Sequence, residues 1–155
     1  MIRLRSYRPD DRAFFVALMA SPQAMAWLEG AKPQAQAHAL FDRLLAERGQ
    51  MAAGLLLGPD GRAIGHGYLR HLSPGSEAEL GLVLTPEMWG QGYGTEAVRR
   101  LLELALVGHG CRRVISTVEP GHGASCRMLE KAGMACRTQL QDRSGSYLLY
   151  EYRAE

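Results

Sequence analysis

The sequence predicts a mixed α+β domain built on a twisted, largely antiparallel sheet of about seven strands, with about four helices. Three observations carry that prediction. Apolar residues switch between alternation and helical spacing in the order strand, two helices, three strands, helix, strand, helix, two strands. Pro59-Asp60-Gly61 joins two strand-like apolar runs through a turn whose glycine tolerates positive φ, which marks antiparallel neighbours. The helical stripe between the strands near Glu79 and Val114 is long enough to recross the sheet, so those two strands are expected to run parallel.

The elements follow in order. Ile2 and Leu4 alternate with Arg3 and Arg5 as a short first strand. Arg8-Pro9-Asp10-Asp11 is a turn that sets two acids at the positive end of a helix with Phe14, Phe15, Leu18 and Met19 on its apolar face. Ser21-Pro22 ends that helix. A segment rich in Met and Trp, residues 24–28, leads through Gly30 and Lys32-Pro33 into a second helix over 34–48, which Gly49 closes. Strands over 51–57 and 63–72 flank the Pro59-Asp60-Gly61 turn, and the polar loop 73–76 opens a third strand over 79–84. Ala97, Val98, Leu101, Leu102, Ala105 and Leu106 give a helix over 95–107, stopped by Gly108 and Gly110. Residues 114–118 form a buried strand, 124–131 a short helix ended by Gly133, and 137–141 with 147–152 a terminal hairpin through Ser144-Gly145.

Composition narrows the function. A length of 155 residues suits one domain over residues 1–155, and 46% hydrophobic against 22% charged residues excludes a disordered chain. A net charge of +2 supplies no long-range field to gather nucleic acid or an anionic membrane. The N-terminal run turns polar at Arg8 before reaching signal-peptide length, and residues 101–107 are too few to cross a bilayer, so a cytoplasmic protein is expected. Cys111, Cys126 and Cys136 form no even framework, which fits a reducing compartment. His38, His66, His71, His109 and His122 show no metal-ligand spacing with them, so no metal is expected.

Gly90, Gly92 and Gly94 occupy alternate positions between a strand and an amphipathic helix. Bare backbone there lets successive N–H groups converge on one anion, helped by the orphan amides and dipole of the helix start. A pyrophosphate suits that arrangement without a lysine. No Gly-Lys-Ser or Gly-Lys-Thr follows, which excludes a P-loop, and Thr95 stands where a dinucleotide fingerprint beginning at Gly90 needs glycine. With 18 glycines in the chain, a chance cluster is the competing reading.

At this loop the sequence resembles the GNAT superfamily of N-acetyltransferases. Trp89-Gly90-Gln91-Gly92-Tyr93-Gly94-Thr95-Glu96-Ala97 is similar to the aromatic-Gly-x-Gly-Tyr-x-Thr-Glu-Ala segment of one branch, which acetylates the N-termini of ribosomal proteins and, in relatives, amino groups of antibiotics. Ser125-Cys126-Arg127-Met128-Leu129-Glu130-Lys131-Ala132-Gly133-Met134 resembles that branch's Ser-x-Arg-x-x-Glu-Lys-x-Gly-aromatic block. Three positions depart from the pattern. Trp89 replaces the Gln or Arg of the wider superfamily, Met134 the usual Phe, and His122 an Asn that contacts the pantetheine arm in relatives. The resemblance implies a GNAT-like fold with the parallel pair at the cofactor site, acetyl-CoA as cosubstrate, and an amine acceptor, either a peptide N-terminus or a small amine. It implies a monomer or homodimer.

On that resemblance Trp89, Gly90, Gln91, Gly92, Tyr93, Gly94 and Thr95 hold the cofactor, His122 and Ser125 flank its pantetheine, and Leu82, Val83 and Leu84 offer free N–H groups where their strand splays from its neighbour. Acyl transfer needs a deprotonated amine, a stabilised oxyanion and a protonated thiolate. Glu79 is the candidate base, directly or through a water; the alternative is a surface or hairpin-paired carboxylate. Ser125 either donates to the departing sulfur or caps a helix, and Tyr150 either protonates the thiolate or packs in the core. Trp27, Leu28, His66 and Tyr68 are the expected acceptor lining, with core packing between two helices as the alternative for Trp27. The alternative function is a module that binds acetyl-CoA without turning it over.

Overall fold

Turn chemistry and alternation set the strand pairing. The computed structural model describes residues 1–47, 52–72, 76–143 and 145–154. In chain order it has β1 (Arg3–Ser6), α1 (Arg12–Met19), α2 (Gln34–Ala46), β2 (Ala52–Leu57), β3 (Ala63–Leu72), β4 (Glu77–Leu84), α3 (Tyr93–Glu103), β5 (Arg113–Val118), α4 (Gly123–Lys131), β6 (Ala135–Asp142) and β7 (Gly145–Arg153). The expected roles of Arg48, Gly49, Met51, Ser73, Pro74, Gly75 and Ser144 fall outside the described residues. One seven-stranded sheet runs β1-β2-β3-β4-β5-β7-β6. β4 and β5 are parallel, as the crossover through α3 requires, and the other neighbours are antiparallel.

Alternation along β4 gives the sheet two faces. Leu80 and Leu82 turn towards α3 and α4, where Val98, Leu101, Leu102 and Leu129 complete a core with Val114 and Tyr150. Each fully buried Leu there contributes about 2 kcal/mol, enough to fix the two helices on that face. Val83 points the other way, against the cluster made by Phe15, Leu18, Met19, Ala37 and Phe41 of α1 and α2.

Two helix ends differ in kind. The expected helix to Val107 is α-helical only to Glu103, after which residues 104–108 widen into a π turn, with His109 N–H donating to Leu104 O at 3.0 Å. The added residue per turn keeps Ala105 buried and leaves Val107 exposed. α4 ends as expected at Gly133. At φ +101° it lets its own N–H reach Glu130 O and that of Met134 reach Leu129 O, the paired bonds of a Schellman end.

Candidate active site

The parallel contact between β4 and β5 is short. Glu77, Ala78 and Glu79 pair with Arg113, Val114 and Ile115, and the register ends there. One further tie follows, from Ser116 Oγ to Leu80 O at 3.1 Å. Beyond it β4 stays on β3 as far as Leu84 while β5 stays on β7 as far as Val118, so a gap opens between them. Thr85 N–H donates to Ile64 O at 2.9 Å, which fixes the parity of the β3–β4 ladder. Odd-numbered β4 residues direct their main-chain groups to β3, and Leu82 and Leu84 direct theirs into the gap. Trp89 Nε1 confirms that direction by donating to Leu84 O at 3.2 Å. The expected run of three free N–H groups is therefore corrected to two. Val83 is paired with His66, and its side chain packs on the α1–α2 cluster.

At the end of β4 the three glycines serve different needs. Gly90 and Gly92 have φ of +76° and +84°, which disfavours L side chains, and a Cβ on either would meet nothing within 4 Å. The space before the loop is open. Gly92 is the N-cap of α3, so the first-turn amides of Tyr93, Gly94 and Thr95 face that space without intrahelical partners. Gly94 instead permits close packing, since a Cβ there would lie 2.5 Å from Met128 Sδ on α4. Trp89 and Gln91 brace the loop: Trp89 ties it to Leu84 O, and Gln91 Nε2 donates to Glu87 O at 2.9 Å.

Glu79 lies on the α1–α2 face in line with Gly81 and Val83, nearly buried and ion-paired to Arg70, its partner across the β3–β4 ladder. Sequence reasoning missed Arg70, although counting outwards from between Pro74 and Gly75 puts it opposite Glu79. Next in the row, Tyr68 lays its ring over Gly81, where a Cβ would stand 2.4 Å from the ring. Burial raises the Tyr68 pKa, with the Glu79 carboxylate adding to the effect.

His66, part of the expected acceptor lining, sits beneath α1 on the sheet. It is buried, its Nδ1 lies 2.7 Å from the Tyr7 hydroxyl, and its ring packs against Tyr7 and Phe15. Burial pushes its pKa down to about 4, against the opposing pull of a bond to the Gly54 main chain. Trp27 and Leu28 are partly exposed, and Trp27 stacks on His122.

On the far lip, β5 leads through a turn to His122, the N-cap of α4. Ser125 stands in the first turn of that helix rather than at its cap, so the capping role falls away. Of the two readings of Tyr150, the structure replaces thiolate protonation with core packing. The residue is buried in the core between sheet and α4, and its hydroxyl donates to Glu130 Oε2 at 2.7 Å, which takes it away from the gap. A separate surface groove of about 460 Å³, lined by Gly133, Arg137, Glu151 and Arg153, lies at the opposite end of β7 and belongs to a different part of the molecule. Among the described residues no cluster of His, Cys, Asp and Glu could hold a metal ion, and no helix is long and apolar enough to cross a membrane.

Comparison with known proteins agrees with this geometry. The fold is that of an acetyltransferase of the GNAT family from Bacillus anthracis, with TM-score 0.85 and 17% identity over 98% of this chain and 94% of that one. It is also that of the aminoglycoside acetyltransferase AAC(6')-Ib in complex with coenzyme A, with TM-score 0.82 and 17% identity over 99% and 95%. Spermidine N-acetyltransferase from Vibrio cholerae, in complex with CoA and spermine, gives TM-score 0.84 and 14% identity over 98% and 95%. Residues 2–135 match the model of the acetyltransferase (GNAT) domain, which spans most of the chain, and on that match the protein belongs to the GNAT acetyltransferase family.

Proposed function

We propose that the chain transfers an acetyl group from acetyl-CoA to a primary amine, on a peptide N-terminus or a small molecule, by direct attack with both substrates bound. The observation that carries this reading is the gap between β4 and β5, with main-chain groups of Leu82 and Leu84 on one lip and an open glycine turn at its end. The cosubstrate fits the residues present. Gly90 and Gly92 leave a space free of side chains, and the amides of Tyr93, Gly94 and Thr95 are donors for a pyrophosphate. Acetyl-CoA supplies an activated thioester, and the rest of the work falls to the chain.

The Leu82 N–H is the candidate oxyanion donor, since it faces the gap and needs no reorganisation to act. Glu79 takes the proton of the attacking amine, directly or through a water, while Arg70 holds the carboxylate in place. Ser125, at the far lip, is the candidate donor to the departing sulfur. An amine acceptor is supported by the aminoglycoside and spermidine acetyltransferases that share the fold. Three free cysteines support a reducing, cytoplasmic setting.

The test is release of free thiol from acetyl-CoA, with pooled peptides, aminoglycosides and polyamines as acceptors. Turnover should require an amine, and Glu79→Gln should lower kcat by about a hundred-fold with KM for acetyl-CoA unchanged. Undiminished turnover in that variant removes Glu79 from the mechanism. Cofactor binding with no thiol released across the whole panel leaves a binding module in place of an enzyme.

A further inference from the structure

Trp27 belongs to the connection between α1 and α2, on the Val83 face of the sheet, yet its ring lies against the far lip of the gap. It stacks on His122 with ring centroids 4.9 Å apart and planes within 8°. The same indole stands 3.9 Å from where a Cβ on Gly121 would sit. His122 caps α4 at the end of β5, so anything filling the gap opposite Leu82 and Leu84 meets this turn.

The connection is built to hold its shape. Met25 N–H donates to Ser21 O and Ala24 N–H to Ser21 Oγ, Gly30 N–H donates to Met25 O, and Lys32 N–H to Met19 O at 2.8 Å. Ala24 and Met25 are buried against the helices while Trp27 is left 42% exposed. Glu29 has φ +69°, a left-handed conformation costing about 1 kcal/mol, and among the described residues it is the one non-glycine that adopts it. Such strain persists where surrounding structure over-determines it, here two residues from the Trp27 ring stacked on His122. Burial lowers the His122 pKa, with Glu119 opposing, which favours the neutral form of the stacked ring.

We infer that Trp27 is a positioning residue for the cofactor: it braces His122 at the far lip, so coenzyme A affinity depends on a side chain carried by the α1–α2 connection. This rests on the cofactor occupying the gap. Calorimetric titration of coenzyme A into the wild type, Trp27→Ala, Trp27→Phe, His122→Ala and the Trp27→Ala/His122→Ala double variant tests it. Trp27→Ala should weaken binding about five-fold and raise KM for acetyl-CoA with kcat unchanged, while Trp27→Phe, which keeps an aromatic stack, stays within about two-fold of wild type. The double variant should bind no more weakly than His122→Ala, because Trp27 acts through His122. Wild-type affinity in a folded Trp27→Ala, or losses that multiply in the double variant, overturn the inference. A wild type that fails to bind coenzyme A sinks instead the reading of the gap itself.

Discussion

The lip of the gap formed by β4 and the start of α3, and the face of the sheet beneath α1 and α2, are made of different materials. The first is almost entirely main chain: Leu82 and Leu84 contribute backbone groups, and Gly90 and Gly92 contribute the lack of a side chain. The second is assembled from side chains brought together across strands and helices, with Arg70 on Glu79, Tyr68 over Gly81 and Tyr7 on His66. A ligand held by backbone forces particular φ values on particular residues. A ligand held by side chains forces only that some groups meet, and many sequences achieve that. The first arrangement leaves a mark in the sequence and the second leaves almost none.

The largest expected effect tests the main-chain side. Gly92→Val places a β-branched side chain at φ +84°, into the space faced by the Tyr93 and Thr95 amides. Coenzyme A affinity should fall by about a thousand-fold, or about 4 kcal/mol. The left-handed φ costs the variant about 1–2 kcal/mol of backbone strain, but the added Cβ meets nothing within 4 Å, so a folded variant is expected at reduced stability. Near-normal affinity in a folded variant would mean that the loop does not bind the cofactor, and the contrast between the two regions would collapse.

The same contrast explains what could be read beforehand. The order of elements along the chain, the parallel pair and the glycine turn rest on periodicity and backbone geometry, and the sequence carries both. Val83 was grouped with Leu82 and Leu84 because alternation alone does not say which parity faces β3; the Thr85–Ile64 bond does. Tyr150 gives no sign in sequence of facing α4 rather than the gap, since a strand tyrosine suits either side. Ser125 reads equally as a cap or a donor until the structure puts the cap at His122. The stack of Trp27 on His122 joins elements far apart in the chain, and no local spacing encodes it.

On the side-chain face, His66 provides the next largest effect, in stability rather than binding. Its folded pKa is about 4, against about 6.5 in an unfolded chain. The unfolded chain therefore takes up a proton at higher pH. The stabilising contribution is complete above about pH 6.5 and is lost as pH falls towards 4, amounting to about 3 kcal/mol. His66→Gln keeps a hydrogen-bonding partner for the Tyr7 hydroxyl and cannot titrate. Urea unfolding across that range should show a shallower pH slope in the variant, and identical slopes would take the buried imidazole out of the acid response.

The smallest effect sharpens the contrast most, because it changes one methyl group on a strand that serves both regions. The main chain of Gly81 is paired with Tyr68 on β3, and its missing side chain is what lets the Tyr68 ring lie flat beside Glu79. In Gly81→Ala the new Cβ would stand 2.4 Å from the ring, so the ring must swing away, while the neighbouring Leu82 keeps its main-chain direction into the gap. KM for the amine acceptor should rise about ten-fold, or about 1.4 kcal/mol, with coenzyme A affinity unchanged. If cofactor affinity falls as far as acceptor affinity, Tyr68 supports both sites at once, and the two regions are one structure rather than two.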